Sequence, residues 1–262
     1  MRADFAGVLW ALKLGAVTNA LLILSLLSAP GAGGEVLASA LVLLSVSAFR
    51  CVFPNRYRGQ VVLHDTVFSS IFWTRVLATF SEVGFIFLLA LLLRSSPIDG
   101  GGGVAVLSGS MVGLAVVAQG LVWRAILTQR AIWFFYEEIC WFLIFVANTL
   151  ASAVLIVGGA ASETNGAMLL DWNLVFGAFY LPWQVFHLRA LWREALPGAA
   201  PSGPGAKSWR EGLRDARRRR ARHTDAAAWG GVIGAVWMVA YWAAVIPVWV
   251  HQVALVLSAS PR

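Results

Sequence analysis

The chain has little charge. Only 13% of its 262 residues are Asp, Glu, Lys or Arg, about half of what a soluble domain carries. It has two lysines, Lys13 and Lys207, and the last apolar stretch holds neither. That argues against a retinal protein, which needs a Schiff-base lysine in a span. The two cysteines, Cys51 and Cys140, lie far apart and form neither a metal motif nor a disulfide framework. The four histidines offer no ligand set at matched depth: His187 falls near one end of its stretch, His251 near the opposite face, and His64 and His223 fall in loops. No P-loop, nucleophile elbow or phosphate-binding glycine motif is present, so neither a cofactor nor a metal is called for.

Long apolar runs are abundant: 59% of the residues are hydrophobic. Seven stretches cover residues 5–27, 36–53, 67–93, 104–122, 131–157, 168–188 and 226–256. Each is near or above the ~20 apolar residues that cross a bilayer as a helix, and in lipid a single segment satisfies its own backbone only as a helix. The expectation is an all-α polytopic membrane protein, a single seven-helix transmembrane domain over 1–262. The first run exceeds a signal-peptide core, so it is expected to be retained as a helix.

The net charge of +7 is expected to meet lipid headgroups rather than nucleic acid. Sixteen of the 20 basic residues fall on one side of the seven-span arrangement: Arg2, Arg50, Arg56, Arg58, Arg124, Arg130, Arg189, Arg193 and the eight of the block 207–222. The other side has Arg94 and Arg262. The positive-inside rule puts the N-terminus in the cytoplasm and the C-terminus outside. The basic cytoplasmic loop 197–225 opens on a Pro/Gly-rich hinge. Trp209, Leu213 and Ala216 then fall at helical spacing, predicting a short interfacial helix with its apolar stripe on lipid. Arg210, Arg214, Arg217, Arg218, Arg219 and Arg220 would hold anionic headgroups. Gly100–Gly103 reads as a flexible connector. Gly109/Gly113 and Gly230/Gly234 are small-residue pairs suited to close packing within the bundle or between copies, in an oligomer or a larger membrane complex.

Charged and polar residues inside spans are costly and face a bundle interior or a cavity. Arg75, Thr79 and Glu82 share one face of the third stretch. Glu137, Cys140, Trp141, Ile144 and Asn148 form a stripe on the fifth, with Glu138 turned away by about 100°. Asn173, Gly177, Tyr180, Gln184 and His187 form a stripe on the sixth, which Pro182 interrupts. Lys13, Arg75, Glu137, Gln184 and His187 fall at similar depth, in the cytoplasmic half. An unpaired buried arginine is too costly, so Arg75 needs a carboxylate. Glu137 is the first choice and Glu82 the second, because i to i+7 is about 10.5 Å along a helix.

The paired glutamates and a histidine bear some resemblance to the intramembrane prenyl-protein endopeptidases. However, the Glu-Glu-x-x-x-Arg motif is broken here by Phe142, so that assignment fails. The leading expectation is a membrane protein that binds or conducts a small solute, ion or proton through a polar pocket. The pocket would be built from Arg75, Glu82, Glu137, Asn148, Tyr180, Gln184 and His187. The alternatives are a structural or assembly subunit, or a lipid-modifying enzyme with a glutamate as base and His187 as its partner.

Overall fold

The computed structural model describes residues 5–29, 34–96, 101–159, 166–196 and 206–259. Arg2, Gly100, Arg262 and the hinge 197–205 lie outside the described residues. Long helices follow one another: α1 Phe5–Ser28, α2 Gly34–Val52, α3 Ile71–Arg94, α4 Gly101–Thr128, α5 Ala131–Val157 and α6 Ala167–Ala195. A short helix α7, Trp209–Ala216, precedes α8 Gly231–Val239 and α9 Val245–Ala259, which join through a π-helical turn at Ala240–Ala244. A small antiparallel ribbon between α2 and α3 pairs β1 Asn55–Arg56 with β2 Val61–Val62.

Among the described residues, six helical segments are long and apolar enough to cross a membrane: α1 to α5 and the composite Gly231–Ala259. One of the seven expected segments does not meet that criterion. The shortfall is α6, whose 29 residues span about 44 Å but include Asp171, Asn173, Gln184 and His187. The protein is an integral, multi-pass, all-helical membrane protein. Its α1 presents Trp10, Leu14, Val17, Leu21 and Leu24 outward, each more than half exposed. A stripe of that kind, at spacings of three and four, belongs against acyl chains.

The boundaries shift for local reasons. Residues 67–69 form a 3-10 turn, and α3 starts only after Ser70, whose hydroxyl accepts the Trp73 N–H at 3.4 Å. Gly101, Gly102 and Gly103 begin α4 rather than forming a connector. Residues 226–230 make turns ahead of α8. Pro182 lies inside a continuous α6. The irregularity falls instead near Pro247, which has no N–H to give to the preceding turn. The π turn there leaves the Trp242 carbonyl to side chains: the Asn19 amide donates to it at 2.9 Å and the Cys51 thiol at 3.3 Å.

Each long helix packs on the next, and α9 returns against α1, α2 and α3. Helix α6 packs closely on α5 alone. The two run antiparallel over their full length, with contacts from Phe135–Trp192 through Glu138–Gln184 and Phe145–Phe176 to Asn173 donating to Ser152 Oγ at 2.9 Å. Gly177 sets how close they come. A Cβ there would strike the Thr149 side chain.

The basic segments gather at one end. The Lys207 N–H donates to the Thr128 carbonyl at 3.0 Å, the His223 N–H donates to the Val62 carbonyl at 2.9 Å, and Arg219 pairs with Asp65 at 3.1 Å. Arg94 is at the far end, with its Nε donating to Ser108 Oγ at 2.7 Å.

Helix α7 forms as expected, started by a reciprocal Ser208/Glu211 capping box. Its apolar stripe does not lie on lipid. Leu213 and Ala216 pack with Ile71, Val122 and Ile126 at the ends of α3 and α4, and only Trp209 is well exposed. The protein end offers apolar partners that a helix of eight residues cannot do without.

Of the glycine pairs, Gly230/Gly234 behaves otherwise than expected. Gly113 is exposed with nothing near it, and Gly230 and Gly234 form the start of α8 rather than a helix crossing. Lys13 is exposed over the Trp10 ring, 4.7 Å from its centroid, and does not join the interior polar groups.

Candidate functional site

A cavity of about 500 Å³ occupies the basic half of the bundle. One helix face after another contributes to its wall. From α5 come Glu137, Glu138, Trp141 and Phe145, at helical spacing. Helix α6 adds Phe176, Tyr180, Trp183 and His187, and α8 adds Ile233 and Trp237. The α2 end and the ribbon supply Arg50, Asn55, Arg56, Tyr57 and Arg58, while α3 supplies Arg75 and Glu82. The π turn directs Tyr241 and Trp242 into the same space. Single π turns of this sort recur at functional sites.

The deep wall is an ion pair within one helix. Arg75 Nη2 lies 2.7 Å from Glu82 Oε2, and its Nη1 lies 3.4 Å from Oε1. This overturns the expectation that Arg75 pairs first with Glu137. The axial gap closes because Glu82 leans toward the helix N-terminus and the arginine stem is long. Gln119 of α4 completes the group. It accepts from Arg75 and donates to Glu82 Oε2 at 3.1 Å. Nothing in the sequence pattern of α4 singled out Gln119.

Glu137 is buried and lines the cavity. Its one hydrogen-bond donor among the described residues is Trp141 Nε1 at 3.3 Å, and no cation lies within ion-pair distance. Glu138 is half-buried. It accepts from the Gln184 amide at 2.7 Å and lies 3.7 Å from His187 Nε2. Trp183 stacks on His187, with ring centroids 4.9 Å apart. So both glutamates face the cavity, despite pointing in different directions from α5.

Two arginines that sequence reasoning used only for topology lie opposite. Arg50 is 4% exposed, donates to the side chain and carbonyl of Asn55, and leaves its Nε without a partner. Asn55 is held in turn by donating to the Ser69 carbonyl and to Thr74 Oγ1. Arg50 also lies over the rings of Tyr57 and Trp242. Arg56 donates to the Ala228 carbonyl at 2.9 Å, and burial pulls its guanidinium below its ordinary pKa. Neither arginine has a carboxylate partner among the described residues. Gly230 makes room for Arg56. Its φ of 88° suits glycine, and a Cβ there would press on the guanidinium at 3.3 Å. Arg58, by contrast, pairs with Glu194 at the end of α6.

Of the seven expected residues, five line the cavity: Arg75, Glu82, Glu137, Tyr180 and His187. Gln184 is fully buried behind it, holding Glu138. Asn148 is elsewhere. It accepts from Asn173 at 3.3 Å in a separate buried cluster with Ser152 that ties α5 to α6. The cavity stops at an aromatic layer in which Phe176 meets both Phe145 and Trp249, and Trp249 meets Phe85. Beyond that layer lies the apolar core around Leu88, Leu89, Ile144 and Val250. Among the described residues no group of three His, Cys, Asp or Glu side chains is arranged to hold a metal ion.

No protein-family model matches this chain, and no curated protein or solved structure matches it.

Proposed function

We propose that the protein binds a small charged ligand in this cavity, with an anionic group of the ligand against Arg50 and Arg56. One observation carries the reading: two cations and the Glu137 carboxyl line one space, and none of the three is in an ion pair among the described residues. A charge held away from water is expensive unless it is paired. A ligand that completes the pairing recovers that cost, and the volume of about 500 Å³ suits a small molecule. The aromatic layer beyond the cavity favours binding over open conduction.

The reading includes seven spans, with the basic end cytoplasmic. The full-length antiparallel register of α6 on α5 supports α6 as a span, and the segregation of basic residues supports the orientation. The exposed Arg210, Arg214 and Arg218 form no ion pair among the described residues and are free to meet anionic headgroups. Arg217 lies over the Phe72 ring, while Arg219 and Arg220 are engaged with Asp65 and Asp215. The interfacial surface is therefore narrower than the whole basic block.

The test is thermal unfolding of the detergent-purified full chain with millimolar O-phosphoethanolamine, inorganic phosphate or glutamate. At least one of these should raise Tm in wild type, and the rise should vanish in Arg56→Gln, whose half-buried position in the short ribbon outside the long helices favours retained folding. A wild-type Tm that none of the three moves overturns the reading.

A further inference from the structure

The cavity differs at its two ends. At the ribbon end, Arg50 and Arg56 have no carboxylate partner among the described residues. On the α5 and α6 wall, Glu137 and Glu138 share the lining with the rings of Trp141, Tyr180 and Trp183. Carboxylates among aromatic faces suit an ammonium group, through charge pairing and cation–π attraction together. A molecule that satisfies both ends is a zwitterion with an anionic oxygen group and an amine.

The side wall shows how such a molecule enters. Helix α6 packs closely on α5 alone, and among the described residues it makes no close packing with α8. Rings bridge the gap, Trp183 meeting Trp237 with centroids 4.9 Å apart. Ile233 lines the cavity yet is 69% exposed, so the cavity reaches the bundle's outer surface there. That surface lies on the lipid-facing side of Gly231–Ala259, a segment apolar enough to span. Exposed residues on the two flanking helices include the apolar Val232 and Val236 of α8 and Phe179 and Phe186 of α6. A water-soluble solute gains nothing from such a doorway, whereas an acyl chain fits it.

We infer that the ligand is a zwitterionic phospholipid of the phosphoethanolamine type, with its headgroup in the cavity and its acyl chains leaving between α6 and α8 into the bilayer. The inference rests on the binding reading above and adds the ligand class and the route. Phosphate oxygens meet Arg50 and Arg56, and the ammonium group meets Glu137 and Glu138. The soluble headgroup shares the polar chemistry but not the tails, so the two sources are separable.

The experiment uses the full chain in nanodiscs containing a trace of phosphatidylethanolamine with a photoactivatable acyl chain. The expected result is crosslinking at the cleft, at Ile233, Trp237 or Trp183. Millimolar O-phosphoethanolamine should reduce it several-fold, and so should Arg56→Gln and Glu137→Gln. If the soluble headgroup raises Tm but no lipid crosslinks at the cleft, this inference falls and the binding reading stands. If neither binds, both fall. Equal crosslinking by phosphatidylglycerol, which has no amine, overturns the zwitterion assignment, as does crosslinking that Glu137→Gln leaves unchanged in a variant with wild-type elution and Tm.

Discussion

Arg75 and Glu82 lie seven residues apart on α3 and form a buried ion pair at 2.7 Å, with Gln119 bonded to both. The pair forms the deep wall of the cavity and joins α3 to α4. Breaking a buried pair by removing one partner leaves the other charge stranded, a cost of about 3–5 kcal/mol. Arg75→Leu and Glu82→Gln should each lower the unfolding temperature in detergent more than the double variant does. Additive losses would show that the two side chains do not interact.

Gly177 and Thr149 predict a rescue. A methyl group at Gly177 meets the threonine side chain rather than backbone. Gly177→Ala should therefore destabilise by about 1–3 kcal/mol through overpacking. Thr149→Ala in the same chain should recover most of the loss, since it vacates the space the new methyl needs. The measurement is thermal unfolding of the single and double variants side by side, and a double variant no better than Gly177→Ala alone would mean that α5 and α6 do not meet there.

The basic segment should detach in acid. Burial works to raise the Asp215 carboxyl, but hydrogen bonds and charge from Lys207 and Arg220 outweigh it and hold the group below its ordinary value. Lys207 lies 2.5 Å and Arg220 2.8 Å from Asp215 Oδ2. A carboxyl lowered in the folded state stabilises above its unfolded pKa, and that contribution fades as pH falls through the lower, folded value. Limited proteolysis across 207–222 should accelerate below about pH 4, near the ordinary aspartate pKa. Asp215→Asn should be fast at neutral pH and lose the acid-dependent step. Equal rates for wild type and Asp215→Asn at pH 7 would argue against the clamp.

Orientation is open to a labelling test. Cys51 and Cys140 are buried, while Arg218 and Ser95 are exposed at opposite ends of the bundle. A membrane-impermeant maleimide should reach Arg218→Cys only from the cytoplasmic side and Ser95→Cys only from the other. Labelling of both from one side would rule out the proposed arrangement.

What the sequence determined on its own was the class of protein and the places where polarity enters it. Apolar runs near 20 residues long have one backbone solution in lipid, so helices could be read directly. Helical spacing also put Tyr180, His187 and Gln184 on one face of α6 and Glu137 on a face of α5. Spacing carries no information about neighbours, however. Only the tertiary structure decided that Arg75 takes Glu82 and Gln119, that Asn148 joins Asn173 away from the cavity, and that the stripe of α7 packs on protein. Arg50 and Arg56 read as topology signals because they sit at the edge of a span, where arginine usually meets water. The ribbon at Asn55–Arg56 and the π turn before Pro247 enclose them and make them a wall of the site. Long-range closure of that kind depends on which surfaces meet across the bundle, and no local pattern along the chain records it.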